Sequence, residues 1–339
     1  MMKNAKKIIA DFPKANILVV GDLILDEYIW GDAERLSPEA PVPVVWAKKR
    51  TFVPGGAANV ANNIRALDGN VRLVGVIGKD KNTPHFLAEL KKRKISCEGI
   101  LAEPGRPTTV KTRIIAGHQQ MLRLDWERCE ALPRALNDKI IGFVKKNIKG
   151  LDAIIIEDYG KGVVNKELLE QLVGLARSHK MIITVDPKED HFRYYRGATA
   201  ITPNRREVEN AIRHLKIKDT TNSFKINTDR IFDDADLINA GRQILKYLNL
   251  DSALVTLGEQ GMRLFEKSGK ITHIPTVAQA VFDVSGAGDT VISVFTLSLC
   301  AGASKLEAAL MANFAAGIVV GKVGTATITR KELIDRIER

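Results

Sequence analysis

Cysteine is scarce in this 339-residue chain. Cys97, Cys129 and Cys300 are the three present. An odd number with no CxxC pair and no zinc-type spacing excludes a disulfide framework and a structural metal, and it points to a reducing compartment. Long apolar runs are missing too. Glycine or a polar residue breaks each one before the roughly eighteen residues a membrane span needs. The first residues, "MMKNAKKIIADFPKANILVVGD", carry lysines but no apolar region followed by a cleavage site, so no secretory leader is expected. A cytoplasmic protein fits these absences. No zinc finger, RNP-like aromatic stretch or basic zipper accompanies the net charge of +11. The cations are spread along the chain, with short clusters such as "KKRK" at 91–94. Nucleic-acid binding is therefore not expected, and a solvated basic surface or a small anionic substrate accounts for the charge. No repeat or low-complexity tract occurs.

What is present is alternation. "NILVVGDLIL" (16–25), "VRLVGVIG" (71–78), "DAIIIED" (152–158), "MIITVD" (181–186) and "SALVTLG" (252–258) are short apolar runs of the buried-strand type. Helix-period segments lie between most of them, for example 166–180 and 234–248. That order predicts an α/β fold, a mostly parallel sheet covered by helices on both faces, with ligands at the carboxyl ends of its strands. Gly21, Asp22, Asp158, Asp186, Thr256 and Gly258 occupy those ends. Two stretches break the alternation. Residues 42–53 and about 96–125 read as exposed strands with no helix between, a small β-sheet lid or dimer surface projecting from one domain. Residues 216–230 are polar and aperiodic and read as a surface loop.

Two glycine-rich stretches precede helices. In "FDVSGAGDT" (282–290), Asp283 and Asp289 bracket four small residues. A helix N-terminus presents unpaired amides and a positive dipole end, and glycine lets an anion approach them. No GK[ST] follows, so this is not a Walker A loop. Asp289 beside such a cradle suits a general base acting on a hydroxyl that attacks a phosphoryl group. Helix capping by Ser285, Asp283 or Asp289 explains the same residues without chemistry. In "PGGAANVANNIRAL" (54–67), Asn59 and Asn62 follow the glycines. Neutral amides there suit sugar hydroxyls, since each both donates and accepts; tight helix packing is the alternative.

Together, "GGAANVAN", "DVSGAGDT" and the N-x-x-E of "PNRREVE" (203–209) resemble, in order and over nearly the whole chain, the signatures of the ribokinase-like (PfkB) carbohydrate kinases. The resemblance implies a three-layer α/β/α sandwich with a β-sheet lid, in one domain spanning 1–339. Further stretches, "RLSPEAPVPVV" (35–45), "QQMLRLD" (119–125), "DYGKGV" (158–163), "VDPK" (185–188) and "AAGIVVGKVGTATIT" (315–329), are similar to the branch that phosphorylates D-glycero-D-manno-heptose 7-phosphate at O1, in ADP-heptose synthesis for lipopolysaccharide. Many members of that branch carry a nucleotidyltransferase with an HxGH motif. None occurs here, so a stand-alone kinase is expected.

By that resemblance Asp289 is the catalytic base and the amides of Gly286, Ala287 and Gly288 form the anion hole. Asn204 and Glu207 organise Mg²⁺ on the ATP phosphates, mainly through water. Thr256, Leu257, Gly258, Lys188 and Asn313 line the nucleotide cleft. Asp22, Gly55, Gly56, Asn59 and Asp158 hold the sugar, with Lys161, Arg113 and Arg123 as cations for its 7-phosphate. A monovalent cation is a further cofactor to consider, and a homodimer through the lid is expected. Departures from the family pattern are His118 before "QQ", the arginines of "NRRE" and the length of 216–230. A PfkB-type kinase for another sugar, sugar phosphate or nucleoside is the alternative within the class. A non-catalytic sugar or nucleotide sensor is the alternative outside it.

Overall fold

The first apolar run splits at Asp22. In the computed structural model, which describes residues 4–117, 119–218, 224, 226, 230–278 and 281–338, α1 (Ala5–Asp11) leads into β1 (Asn16–Gly21). One residue later β2 (Leu23–Leu36) leaves for a different sheet. β3 (Pro43–Gly56) returns antiparallel along β2 and runs directly into α2 (Ala57–Ala66). Then follow β4 (Asn70–Ile77), α3 (Thr83–Lys92), β5 (Ser96–Ala102), β6 (Val110–Ala116), β7 (Gln119–Trp126), α4 (Arg134–Asn147), β8 (Ala153–Glu157), α5 (Lys166–Ser178), β9 (Ile182–Asp186) and β10 (Ala200–Ile201). The remainder is α6 (Arg205–Lys218), α7 (Asp234–Tyr247), β11 (Ser252–Thr256), β12 (Met262–Glu266), β13 (Ile271–Ile274), α8 (Ala287–Cys300), α9 (Lys305–Val319) and α10 (Arg330–Glu338).

The main sheet has the order β13-β12-β11-β10-β9-β8-β1-β4-β5. It is parallel from β11 to β5, with β12 and β13 added antiparallel at one edge. Alternate residues feed two cores: Ile17 and Val19 of β1 join a cluster with α2, α8 and α9, while Leu18 and Val20 join one with α4, α5, α6 and α7. A strand buried on both faces has to be apolar throughout, which is why these runs lack polar alternation. Helix α8 is buried around its whole circumference because the sheet, α2 and α9 enclose it. Val291, Ile292, Val294, Phe295 and Leu297 are all within 2% of full burial, each contributing about 1.5–3 kcal/mol. That packing fixes the helix whose first turn carries Asp289.

The second sheet, β3-β2-β6-β7, is the lid. Its strands differ from those expected. β5, within the expected 96–125 stretch, pairs with β4 in the main sheet, and β2, read as the tail of the first buried run, supplies half the lid. The two lid faces differ sharply. Register puts Asp26, Tyr28, Lys111, Arg113, Arg123 and Asp125 on one, and Ile29, Ile114, Leu122, Leu124 and Trp126 on the other. Residues 216–218 end α6 rather than begin a loop, and Phe224 and Ile226 are buried at 4%. The rest of that expected loop, 219–223, 225 and 227–229, and His118 lie outside the described residues. Among the described residues no helix is long and apolar enough to cross a membrane.

Candidate active site

Asp289 lies in the first turn of α8 and is 3% exposed. Gly286 caps that helix at φ +77°, a left-handed conformation that glycine adopts without cost. A Cβ there would also stand 2.8 Å from Asn59 Nδ2. The closeness is useful, because Asn59 Nδ2 donates to Asp289 Oδ2 at 2.6 Å. The Tyr159 hydroxyl donates to Asp289 Oδ1 at 3.0 Å. Burial pushes the Asp289 carboxyl up to about 6, against the lowering effect of these two donors. Each oxygen keeps a second lone pair beyond these two donors. Asn59 is itself fully buried, and its Oδ1 has no partner, an acceptor held ready for a ligand donor.

The other bracketing acid has a different role. Asp283 accepts the amides of Ser285 at 2.9 Å and Gly324 at 3.0 Å, so it ties the glycine loop to the loop after α9. Ala287 N–H is spent on Val284 O at 3.2 Å. The amides of Gly288 and Asp289 follow in the first turn, where no intrahelical acceptor exists. A cavity of ≈ 560 Å³ opens here, lined by Thr256, Gly258, Ala287, Gly288 and Asn313 among others. Leu257, expected in that lining, packs instead on the α5–α7 side of the sheet. Lys188 pairs with Glu189 at 2.8 Å and is outside the lining.

Asn204 and Glu207 cap α6 reciprocally: Glu207 N donates to Asn204 Oδ1 at 3.0 Å, and Asn204 N to Glu207 Oε2 at 2.8 Å. Asn204 also bridges to Thr256 at the cleft's edge. Burial is the largest influence on Glu207, which is pushed up to about 7. Their oxygens are hard donors of the kind Mg²⁺ takes, commonly with water between.

Two of the acids assigned to the sugar are occupied by the protein. Asp22 accepts the amides of Tyr159, Lys161 and Val163 at 2.9, 3.0 and 3.1 Å. Asp158 accepts His191 Nδ1 and the Tyr195 hydroxyl, each at 2.7 Å, and the Gly160 amide at 2.9 Å. Both shape the 158–163 loop. Gly55 and Gly56 mark where β3 passes Asp26 and Asp22; a Cβ on either would come within 2.5 Å of an oxygen of those residues.

The three phosphate-directed cations are also paired: Arg113 with Asp26 at 2.6 Å, Arg123 with Asp125 at 2.9 Å, and Lys161 with Glu127 at 2.7 Å. Lys111, beside them on the inner lid face, is different. Its ammonium stands 5.7 Å over the Tyr159 ring, and among the described residues it has no ion-pair partner. Burial, with Lys161 and Arg123 nearby, lowers its pKa. Sequence reasoning missed Lys111, Asp26 and Tyr159. Only strand alternation in "TTVKTR" relates Lys111 to Arg113, and nothing local points to the other two.

Comparisons with known proteins agree with this architecture. Arabidopsis thaliana ribokinase, solved with ribose and ATP, superposes with a TM-score of 0.71 at 17% identity, over 96% of this chain and 99% of that one. Escherichia coli phosphofructokinase-2, solved with potassium, gives 0.74 at 16% identity over 96% and 98%. The fold is therefore ribokinase-like. The model of the pfkB family of carbohydrate kinases matches residues 14–332, and the chain belongs to that family. It is 41% identical over 332 residues to the bifunctional protein HldE of Geobacter metallireducens and 45% identical over 318 residues to that of Helicobacter pylori. These matches take in 98% and 94% of this chain but 65% of each relative's own length.

Proposed function

We propose that the chain transfers the γ-phosphoryl group of ATP to O1 of D-glycero-D-manno-heptose 7-phosphate, giving the 1,7-bisphosphate for ADP-heptose and lipopolysaccharide core synthesis. The observation that carries the reaction class is Asp289, buried and aimed by Asn59 and Tyr159 at the mouth of α8. Asp289 takes the proton of the attacking hydroxyl as its oxygen bonds to phosphorus and the bond to the ADP leaving group breaks. The first-turn amides and the αL cap at Gly286 stabilise the charge on the transferring group. The cavity beside Thr256, Gly258 and Asn313 suits the nucleotide. Asn204 and Glu207 would hold Mg²⁺, which supplies charge neutralisation on the phosphates when bound. A lid closing over the sugar excludes water and limits ATP hydrolysis.

The heptose 7-phosphate assignment rests on the stretches at 35–45 and 119–125, on similarity to the HldE proteins, and on the inner lid face. There Lys111 is the cation with capacity to spare for a substrate phosphate, and the paired Arg113, Arg123 and Lys161 frame it. The outer lid face suits a second copy of the chain: Leu122, Leu124 and Trp126 are 51%, 41% and 62% exposed, and a two-fold axis would set the same apolar strand against itself. Sedimentation showing only monomer would remove the dimer. ATP-dependent phosphorylation of heptose 7-phosphate, fructose 6-phosphate, fructose 1-phosphate, ribose and adenosine tests the activity. Turnover of heptose 7-phosphate alone supports the proposal; turnover of another member keeps the mechanism and replaces the substrate. No turnover with any, alongside tight sugar binding, marks a sensor.

A further inference from the structure

Beneath Asp289 lies a carboxylate that the chemistry above does not use. Glu157 ends β8, between Gly21 of β1 and Asp186 of β9 in register. Strand alternation turns it with Ala153 and Ile155 toward α8, while Ile154 and Ile156 face the other layer. Gly21 makes the room, since a Cβ there would stand 2.1 Å from Glu157 O and 2.8 Å from its Cβ. The residue is fully buried. One carboxylate oxygen each of Glu157, Asp186 and Asp289 lie within 4.8 Å of one another.

The donors around this triad are unevenly shared. Asp289 has Asn59 and Tyr159, and Asp186 has the Thr202 hydroxyl at 3.1 Å. Both oxygens of Glu157 are shielded from solvent and without a partner. The groups that face it are Asp186 on β9, Asp289 on α8, and Asp158 and Tyr159 just beyond its own strand. Among the described residues, no lysine, arginine or histidine pairs with any of the three. Three neighbouring anions with no cation between them are electrostatically untenable, and the proton settles on the least solvated.

We infer that Glu157 is a neutral acid whose one hydroxyl proton is shared with the carboxylates of Asp186 and Asp289, making it a positioning residue that keeps Asp289 ionised and correctly turned toward substrate. This rests on Asp289 being the base. Burial first, then Asp186 and Asp289, hold the Glu157 carboxyl well above its usual range. The triad then carries two charges rather than three. Asp289 gains the substrate's proton during transfer, and the proton on Glu157 stays where it was.

The test uses the wild type, Glu157→Gln, which keeps a donor of the same shape, and Glu157→Leu, which keeps the volume and loses the donor. Infrared spectra of the protein alone at neutral pH should show a protonated carboxyl band that Glu157→Gln lacks. This readout stands whatever the substrate proves to be. In turnover assays Glu157→Leu should lose about tenfold in kcat, the worth of one buried hydrogen bond, with the KM for ATP unchanged. Glu157→Gln should recover most of that loss, with the acid limb of its pH profile unmoved. No carboxyl band in the wild type overturns the inference, as does a Glu157→Gln enzyme as impaired as Glu157→Leu. Nucleotide-free Mn²⁺ binding by the wild type that Glu157→Gln abolishes also overturns it, because the triad would then be a metal site.

Discussion

Asp22 and Asp289 are the same residue type, almost equally buried, and burial pushes both carboxyls up to about 6. Their surroundings separate them. Asp22 accepts three backbone amides of a single loop, donors that cannot turn away. Asp289 is held by two neutral side-chain donors, one from α2 and one from the 158–163 loop, and keeps a lone pair open even with Glu157 donating to it. Burial and a raised pKa therefore do not mark a reactive acid by themselves. The two differ in whether fixed backbone or side chains hold them. The two sites are also linked, because the loop that Asp22 holds is the one that delivers Tyr159 to Asp289.

Substituting each acid by its amide separates the two roles. Asp289→Asn should lower kcat by about 10²–10⁴, the usual contribution of a general base, while the protein stays folded and binds ATP. Asp22→Asn should act mainly on stability, on the order of 3 kcal/mol, since its NH₂ group meets amide donors it cannot accept from; thermal unfolding reads it. The comparison fails if Asp22→Asn loses turnover at unchanged stability. Next in size, Lys111→Met should raise the KM for the phosphorylated sugar about 10–100-fold, as expected for a lost charge-assisted bond, and leave the KM for ATP alone. Gly286→Ala should lower kcat about tenfold through left-handed strain and the contact with Asn59.

The pH dependence should divide in the same way. kcat/KM rises with pH through about 6 as Asp289 ionises. Stability moves oppositely. A carboxyl raised in the folded state holds a proton that the unfolded chain gives up near 3.8. Its contribution is therefore lost as pH climbs from there to about 6, on the order of 2–3 kcal/mol per such group. Asp289→Asn should flatten that fall in the unfolding temperature. Smallest of all, Arg123→Met should change the sugar KM less than about threefold, because its partner Asp125 already screens an exposed arginine.

The parallel core was legible in the sequence because a strand buried on both faces is apolar without interruption, and "DAIIIED" and "MIITVD" can be little else. Both glycine stretches were legible as helix starts because positive-φ backbone, found at Gly56 and Gly286, favours glycine. The lid was legible only in part. "NILVVGDLIL" reads as one strand, yet Asp22 divides it between two sheets, and a single polar residue does not announce that division. Glu157, Tyr159 and Lys111 were not legible at all. Each looks ordinary in its own segment and takes its meaning from a distant one: α8 packed over β8, or β6 folded above the 158–163 loop. Leu257 failed in the opposite direction, since its neighbours Thr256 and Gly258 face the cleft while its side chain joins the core.

Asn59 and Asp289 are hydrogen-bonded across 230 residues of chain, and that separation has a consequence in time. At a synthesis rate of about 5–20 residues per second, roughly 10–50 s pass between the appearance of one partner and the other. Until α8 is made, the face of β1 and β8 that it covers has α2 but lacks α8 and α9. Ile17, Val19 and Ile155 wait half-covered, and Glu157 has Asp186 but not yet Asp289 beside it. A nascent chain short of α8 is thus no weakened kinase but a half-covered sheet, prone to stick to its copies. Asp289 is delivered on the same helix that closes the core.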